Sequence, residues 1–239
     1  MSYVAYWGVE ANNFGDVLNR NLLDHFNISF THSIDPNNSN LFVIGSVARL
    51  AKLNKSVIMG SGAIRRNETY NPKADWKFVR GPLTRDILIR SGGYCDPIYC
   101  DAGLFLPELV EESKKEYEVG IVPHYANFNT VVSQYPNHKI IDVNNTDPLK
   151  VAQEITKCKK IISSSLHGII CAHAYGIPAA HVDFGKIHGD GTKFEDYYKS
   201  VGLEHQTSTV NNPIYTDIKT MPDLATISDI FKSINMEKL

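Results

Sequence analysis

The chain has 239 residues, 43% hydrophobic and 21% charged, which is the composition of a folded globular protein and not of a disordered or fibrous one. Its 24 Lys and Arg against 26 Asp and Glu leave a net charge of −2, so there is no basic field to hold a phosphate backbone, and nucleic acid is not an expected partner. No run approaches the roughly 18 apolar residues that span a bilayer, and the N-terminus has neither a charged n-region nor an apolar core, so a cytoplasmic protein is expected. Cys95, Cys100, Cys158 and Cys171 lack CxxC spacing and read as reduced thiols.

Short apolar, β-branched runs bounded by turn signals fall at 3–7, 41–45, 56–59, 77–79 and 98–100, each too short for a helix. Helix-compatible stretches lie among them at 15–26, where Val17, Leu18 and Leu22 recur at helical spacing, and at 82–90, with Pro82 at a first-turn position. This alternation predicts a parallel sheet. A charged stretch at 111–116 interrupts the pattern, which restarts with strands at 118–122, 139–143, 160–163 and 179–183 and helices at 147–158 and 167–175. Residues 222–236 are helical in pattern. The expected division is a first lobe at 1–112, a second at 113–204, and a C-terminal segment at 205–239 whose helix packs back on the first lobe.

In open parallel sheets, ligands gather beyond the carboxyl ends of strands, where loops turn into helix N-termini. In the loop 12–16, Gly15 permits close backbone approach, and Asn12 and Asn13 either cap a helix or bind a hydroxyl, with Asp16 beside them. The loop 60–66 lacks the third Gly of a dinucleotide fingerprint; Gly62 with Arg65 makes either an anion cradle or a plain turn. Arg80, at a strand end before a Pro-initiated helix, can fork onto carboxylate or phosphate oxygens, or form an ion pair.

The richest segment is 161–178, where an apolar run meets Ser163, Ser164, Ser165 and His167 at a helix start, with Gly168 following. Free N–H groups, hydroxyls and an imidazole converge there, an anion site with a proton donor; the plainer reading is a capped helix with a core histidine. His124 sits in a loop after a strand, and His188 and Lys193 belong to a Gly-rich loop suited to cover an anion. Asp101 either orients a sugar hydroxyl or caps a turn. His167 and Cys171 share a helical face but His173 points away, so no metal site is expected.

Taken in order, Asn13-Phe14-Gly15-Asp16, Gly60-Ser61-Gly62-Ala63-Ile64, the segment 79–85, Leu104 to Leu109, Pro123-His124-Tyr125, the segment 164–168, Tyr175-Gly176-Ile177-Pro178 and Lys193-Phe194-Glu195-Asp196-Tyr197-Tyr198 resemble the polysaccharide pyruvyl transferase family over about residues 6–202. The resemblance implies an α/β fold of two Rossmann-like lobes facing a cleft, like GT-B glycosyltransferases. It implies phosphoenolpyruvate as donor, two hydroxyls of a sugar in a polysaccharide or lipid-linked precursor as acceptor, a cyclic ketal and phosphate as products, and no cofactor. Peripheral membrane association would come through the acceptor.

Under that resemblance His167 is the acid/base, with Asp16 and His124 facing the acceptor and sharing catalysis. Arg80, Gly62, Arg65, Ser164, Ser165, Gly168 and Lys193 hold the donor, and Asn13, Asp101 and His188 the acceptor. There is one departure. Relatives with a Ser-Arg-Leu-His motif use its Arg and His on phosphoenolpyruvate, whereas this chain has Ser164-Ser165-Leu166-His167. Either Arg80, Arg65 or Lys193 replaces that cation, or the substrate differs. The alternatives are a GT-B-type glycosyltransferase using a nucleotide sugar and a non-catalytic sugar- or anion-binding module.

Overall fold

The computed structural model describes residues 2–8, 13–185 and 187–236; Asn12, named above, lies outside the described residues. It contains two separate five-stranded sheets whose pairings are all parallel. The first is built from β1 (Tyr3–Tyr6), β2 (Phe30–Ser33), β3 (Leu41–Phe42), β4 (Val57–Met59) and β5 (Asp75–Phe78), in the order β2-β1-β3-β4-β5. The second is built from β6 (Tyr117–Val122), β7 (Lys139–Ile140), β8 (Cys158–Ser163), β9 (Ala179–Val182) and β10 (Thr207–Ser208), in the order β10-β9-β8-β6-β7.

In each sheet the strand order reverses once, between β1 and β3 and between β6 and β8. Crevices open at such switch points, because the loops leaving adjacent strands run to opposite faces. Both reversals open onto the same cavity, described below.

The connecting helices are α1 (Phe14–His25), α2 (Pro82–Arg90), the single turn α3 (Leu106–Leu109), α4 (Phe128–Gln134), α5 (Pro148–Thr156), α6 (Leu166–Ala174), α7 (Thr192–Ser200) and α8 (Leu224–Met236). In α5, Val151, Ala152 and Ile155 recur at helical spacing and bury one face, and Asp147 caps its N-terminus by accepting from the Leu149 N–H at 3.1 Å. By contrast α6 is buried all round, because it lies between the second sheet and the turn that follows Asp101.

The expected strand at 98–100 is reduced to one parallel bridge, Val79 to Tyr99. Pro97 offers no N–H to extend the pairing, and Asp101 at once caps a 3-10 turn, Ala102–Phe105, by accepting from the Gly103 N–H at 2.9 Å. β2, β10, α4 and α7 add to the expected elements. β2 escaped notice because Phe30-Thr31-His32-Ser33 carries a single apolar residue, and α7 because its buried face includes Lys193 and Asp196.

The main hydrophobic core runs from Tyr3 through Leu18, Phe105 and Ile170 to Ile234, joining the two sheets, and a smaller cluster packs on each sheet besides. Phe231 of α8 is fully buried in it, stacked on Phe26 at 4.3 Å and edge-on to Phe78 and Phe105. Burial of one such side chain contributes about 1.5–3 kcal/mol. Polar bonds also cross between the sheets: the Phe14 N–H donates to the Val143 carbonyl at 2.9 Å, and the Tyr175 hydroxyl donates to the Val110 carbonyl at 2.7 Å. Among the described residues no helix is long and apolar enough to cross a membrane. All four cysteines are buried and free.

Candidate active site

Loops beyond the carboxyl ends of β1, β3, β4, β6, β8 and β9 surround a cavity of about 230 Å³. The first sheet contributes Tyr6, Asn13, Asp16, Ser46, Arg49 and Ile64; the second contributes His124, Tyr125, Ser165, His167, His188 and Lys193.

The local sequence explains how α6 aims at it. β8 ends in Ser163, whose hydroxyl donates to the Val122 carbonyl at 2.8 Å and accepts from the Ser165 N–H at 2.9 Å, turning the chain sharply. Ser165 then caps α6 by accepting from the Gly168 N–H at 3.4 Å. The next two N–H groups, of Leu166 and His167, have no partner among the described residues, and both residues line the cavity. A helix start with free N–H groups at a cavity favours an anion.

His167 is buried, with its ring lying over the Gly15 backbone and between two carboxylates. A Cβ placed on Gly15 would stand 2.0 Å from Nδ1 and 2.4 Å from Cγ and Cε1, so only Gly allows this packing. Nε2 lies 3.7 Å from Asp101 Oδ2 on the buried side. Burial holds the imidazole below its ordinary pKa, against the pull of Asp101 and Asp16. Asp16, which accepts from Asn13 Nδ2 at 2.9 Å, is raised by burial, with Asn13, His167 and Lys193 opposing the rise.

The remaining wall is rich in groups that carry or can carry positive charge. Burial, aided by the Arg80 charge, lowers Lys193 to about 8. Burial and then the charges of Lys193 and His188 lower His124 to about 4, and His188 is lowered by burial, Arg65, Arg49 and Lys193. Beyond burial, the like charges of these groups depress one another, and a bound anion would oppose that effect. Among the described residues no set of three His, Cys, Asp or Glu side chains converges as metal ligands.

Of the residues singled out in the sequence, Asn13, Asp16, His124, Ser165, His167, His188 and Lys193 meet around this cavity. Others do not, and the structure corrects their reading. Arg80 is wholly buried and its fork is filled: Nε donates to Asp196 Oδ2 at 3.1 Å, Nη1 to Ser46 Oγ at 2.8 Å and Nη2 to the Ala63 carbonyl at 2.6 Å. Gly62 gives its N–H to the Gly45 carbonyl and exists for Arg80, since a Cβ there would stand 2.4 Å from the guanidinium carbon. Ser164 accepts from the His124 N–H at 2.8 Å and so holds the His124 loop, and Gly168 gives its N–H to the cap. Arg65 is half-buried beside the cavity, not in its wall, where its charge acts on His188. Asp101 has no exposed surface and lies behind His167, out of reach of an acceptor.

The sequence patterns do not single out Ser46 or Arg49, and they give Tyr125 only as the neighbour of His124. The rule that ligands gather beyond strand ends selects the loop after β3 as well, and it would have found Ser46 and Arg49. Asp196, the partner of Arg80, gave no signal that could be told from an ordinary helix-surface acid.

A family model for polysaccharide pyruvyl transferases matches residues 10–184, which run from the loop before α1 through β9 and include most of the cavity wall. The chain belongs to the polysaccharide pyruvyl transferase family. It is therefore a transferase of a family that moves pyruvyl groups in polysaccharide biosynthesis. The succinoglycan biosynthesis protein ExoV of Rhizobium meliloti (strain 1021) is 28% identical over 229 residues, a match covering 90% of this chain and 69% of that protein. An uncharacterized protein of Acanthamoeba polyphaga mimivirus is 29% identical over 246 residues, covering 93% of this chain and 84% of its own. In this chain His188 and Lys193 lie beyond the matched span, so the cavity is completed by residues outside it.

Proposed function

We propose that the protein transfers the pyruvyl group of phosphoenolpyruvate to two hydroxyls of a sugar in a polysaccharide or lipid-linked precursor, forming a cyclic ketal and releasing phosphate. One observation carries this reading. A buried imidazole at the free N–H groups of a helix start shares a small cavity with Lys193 and Arg49, which suits a donor bearing both phosphate and carboxylate. Lys193 is the best replacement for the missing motif Arg, because Arg80 is already paired internally. The facing of two parallel sheets across one cavity supports describing the fold as GT-B-like.

The chemistry follows from the donor. His167, charged once the donor anion raises its pKa, protonates C3 of the enol phosphate, and the positive charge that develops at C2 is met by a first sugar hydroxyl. Asp16, with its raised pKa, takes that hydroxyl proton. The C2–O bond to phosphate then breaks, its charge held by Lys193 and the α6 N–H groups, and the second hydroxyl closes the ketal as its proton passes to the leaving phosphate or solvent. The neutral His124 imidazole stands on the acceptor side with Asn13 and His188. No redox group takes part. A donor drawn from central metabolism places the reaction in the cytoplasm, at the inner membrane face if the acceptor is lipid-linked.

Thermal melts with phosphoenolpyruvate and with nucleotide sugars, followed by phosphate-release assays over a panel of lipid-linked and nitrophenyl sugars, test the proposal. Stabilisation by phosphoenolpyruvate and sugar-dependent phosphate release are expected. Stabilisation by nucleotide sugars alone would point to glycosyl transfer, and binding of phosphoenolpyruvate without turnover on any sugar would point to a binding module.

A further inference from the structure

Two buried polar atoms face each other across the junction of the two sheets with no hydrogen-bond partner among the described residues. They are Nε2 of His167, in the first turn of α6, and Oδ2 of Asp101, which caps the 3-10 turn that follows α2. Each is sealed from solvent, and they stand 3.7 Å apart. A buried carboxylate oxygen and a buried ring nitrogen left without hydrogen bonds each carry an uncompensated desolvation cost. Chains keep such groups where they serve a purpose beyond stability.

We infer that Asp101 is a positioning residue that fixes the His167 imidazole with its proton on Nε2, leaving Nδ1 as the nitrogen that exchanges protons in the cavity. This rests on the proposed role of His167. Three observations support it. Asp101 cannot turn away, because its Oδ1 already accepts from the Gly103 N–H and its side chain is fully buried. The ring cannot swing toward α1, because its face lies on Gly15. Nδ1 has no hydrogen-bond partner among the described residues either, yet it is not among the atoms sealed from solvent, so it is the nitrogen that a cavity ligand reaches.

An ionised Asp101 can only accept, so the proton between the pair belongs to Nε2. The separation exceeds a hydrogen bond, and such bonds commonly tighten only when substrate closes the site. The other charged groups around the ring are Asp16 from α1, Arg80 after β5 and Lys193 from α7, with Asp16 and Asp101 favouring the protonated ring and the two cations opposing it.

The test separates this claim from the assignment of the reaction. ¹⁵N spectra of histidine-labelled protein distinguish the two neutral tautomers, and the His167 signals among nine histidines are identified by their loss in His167→Gln. The unmutated protein at pH 7.5 should show the Nε2–H tautomer. Asp101→Asn keeps the Gly103 cap through its amide oxygen and turns an N–H toward Nε2, so the ring should flip to the Nδ1–H tautomer. In that variant kcat for phosphate release should fall about 10- to 1000-fold with KM for phosphoenolpyruvate little changed, and the alkaline-side inflection of the pH profile, where the protonated ring is lost, should move down because an anion that favours the charged ring is gone.

An Nδ1–H tautomer in the unmutated protein, or a tautomer unaltered in Asp101→Asn, overturns the inference whatever the activity. Phosphoenolpyruvate left unreacted by the unmutated protein, with the tautomers as expected, overturns the assigned reaction and leaves the positioning intact.

Discussion

Gly15 and His167 are packed so closely that the backbone of α1 forms one wall of the imidazole site: a Cβ on Gly15 would overlap the ring at 2.0 Å. Gly15→Ala therefore has to displace the ring or the first turn of α1. Turnover should drop about 100-fold or more, since misplacing a catalytic group by roughly 1 Å costs about that much. The overall fold should persist, as far-ultraviolet circular dichroism would report. Near-normal turnover in this variant would show that the ring position is not critical.

His167 itself should behave as a proton carrier. His167→Ala is expected to lower kcat by about 100-fold or more, in the range of general acid–base catalysis. His167→Gln, which can hydrogen-bond but not shuttle a proton, should be nearly as inactive while still binding phosphoenolpyruvate in a calorimetric titration. Recovery of turnover by Gln would reduce the imidazole to a hydrogen-bond donor.

The Arg80 to Asp196 pair joins two chain segments 116 residues apart, and both side chains have no exposed surface. Asp196 also accepts from the Thr84 N–H at 2.9 Å and hydroxyl at 2.6 Å. Arg80→Ala leaves a buried carboxylate without its cation and should cost about 3–5 kcal/mol of stability in urea titrations. The folded fraction should bind phosphoenolpyruvate almost normally. Lost donor affinity at unchanged stability would return Arg80 to the ligand.

Lys193 should make donor binding depend on pH. Its pKa is lowered to about 8, so the cation is present below that value and lost as pH rises through it. Phosphoenolpyruvate affinity, measured by titration from pH 7 to 9, should fall over this interval. Lys193→Met should bind about 10- to 100-fold more weakly at pH 7 and show no such fall. A flat profile in the unmutated protein would exclude Lys193 as the donor's cation.

Acid should destabilise the fold in a defined window. Burial lowers His173 to about 4, where its ring nitrogens face the Tyr197 hydroxyl and the Thr216 carbonyl, and lowers His181 to about 3. Unfolded histidines take up protons near pH 6.5, so between that value and about 4 the unfolded chain binds more protons than the folded one. Stability present at neutral pH is therefore lost on acidification. His173 alone accounts for up to about 3 kcal/mol. Urea midpoints unchanged between pH 7.5 and 4.5 would contradict this.

What the sequence disclosed depended on whether a residue's partner was near or far in the chain. The passage from β8 into α6 was legible because an apolar run breaks into Ser163, Ser164 and Ser165 before His167, and all the bonds that shape the turn are local or run to the adjacent strand. The alternation of strands and helices was legible because side-chain periodicity is a local property. Arg80 misled because an Arg at a strand end looks the same whether its fork meets a ligand or an aspartate on α7. Gly15 signals close approach and Gly62 an anion cradle or a plain turn, but the groups that approach them are the protein's own, His167 and Arg80. Asp101 reads either as an orienter of a sugar hydroxyl or as a turn cap, and it is the cap; its second oxygen faces a histidine that only the folded chain brings near.

The seat of Phe231 among Phe26, Phe78 and Phe105 also sets an order of events during synthesis. The inner face of the first sheet is sealed by a helix translated after every strand of both sheets. While the second half is being made, that aromatic pocket stands open to solvent, an exposed apolar surface of the kind that chaperones hold and that aggregates when unguarded. The core of the N-terminal half is thus completed last, by α8.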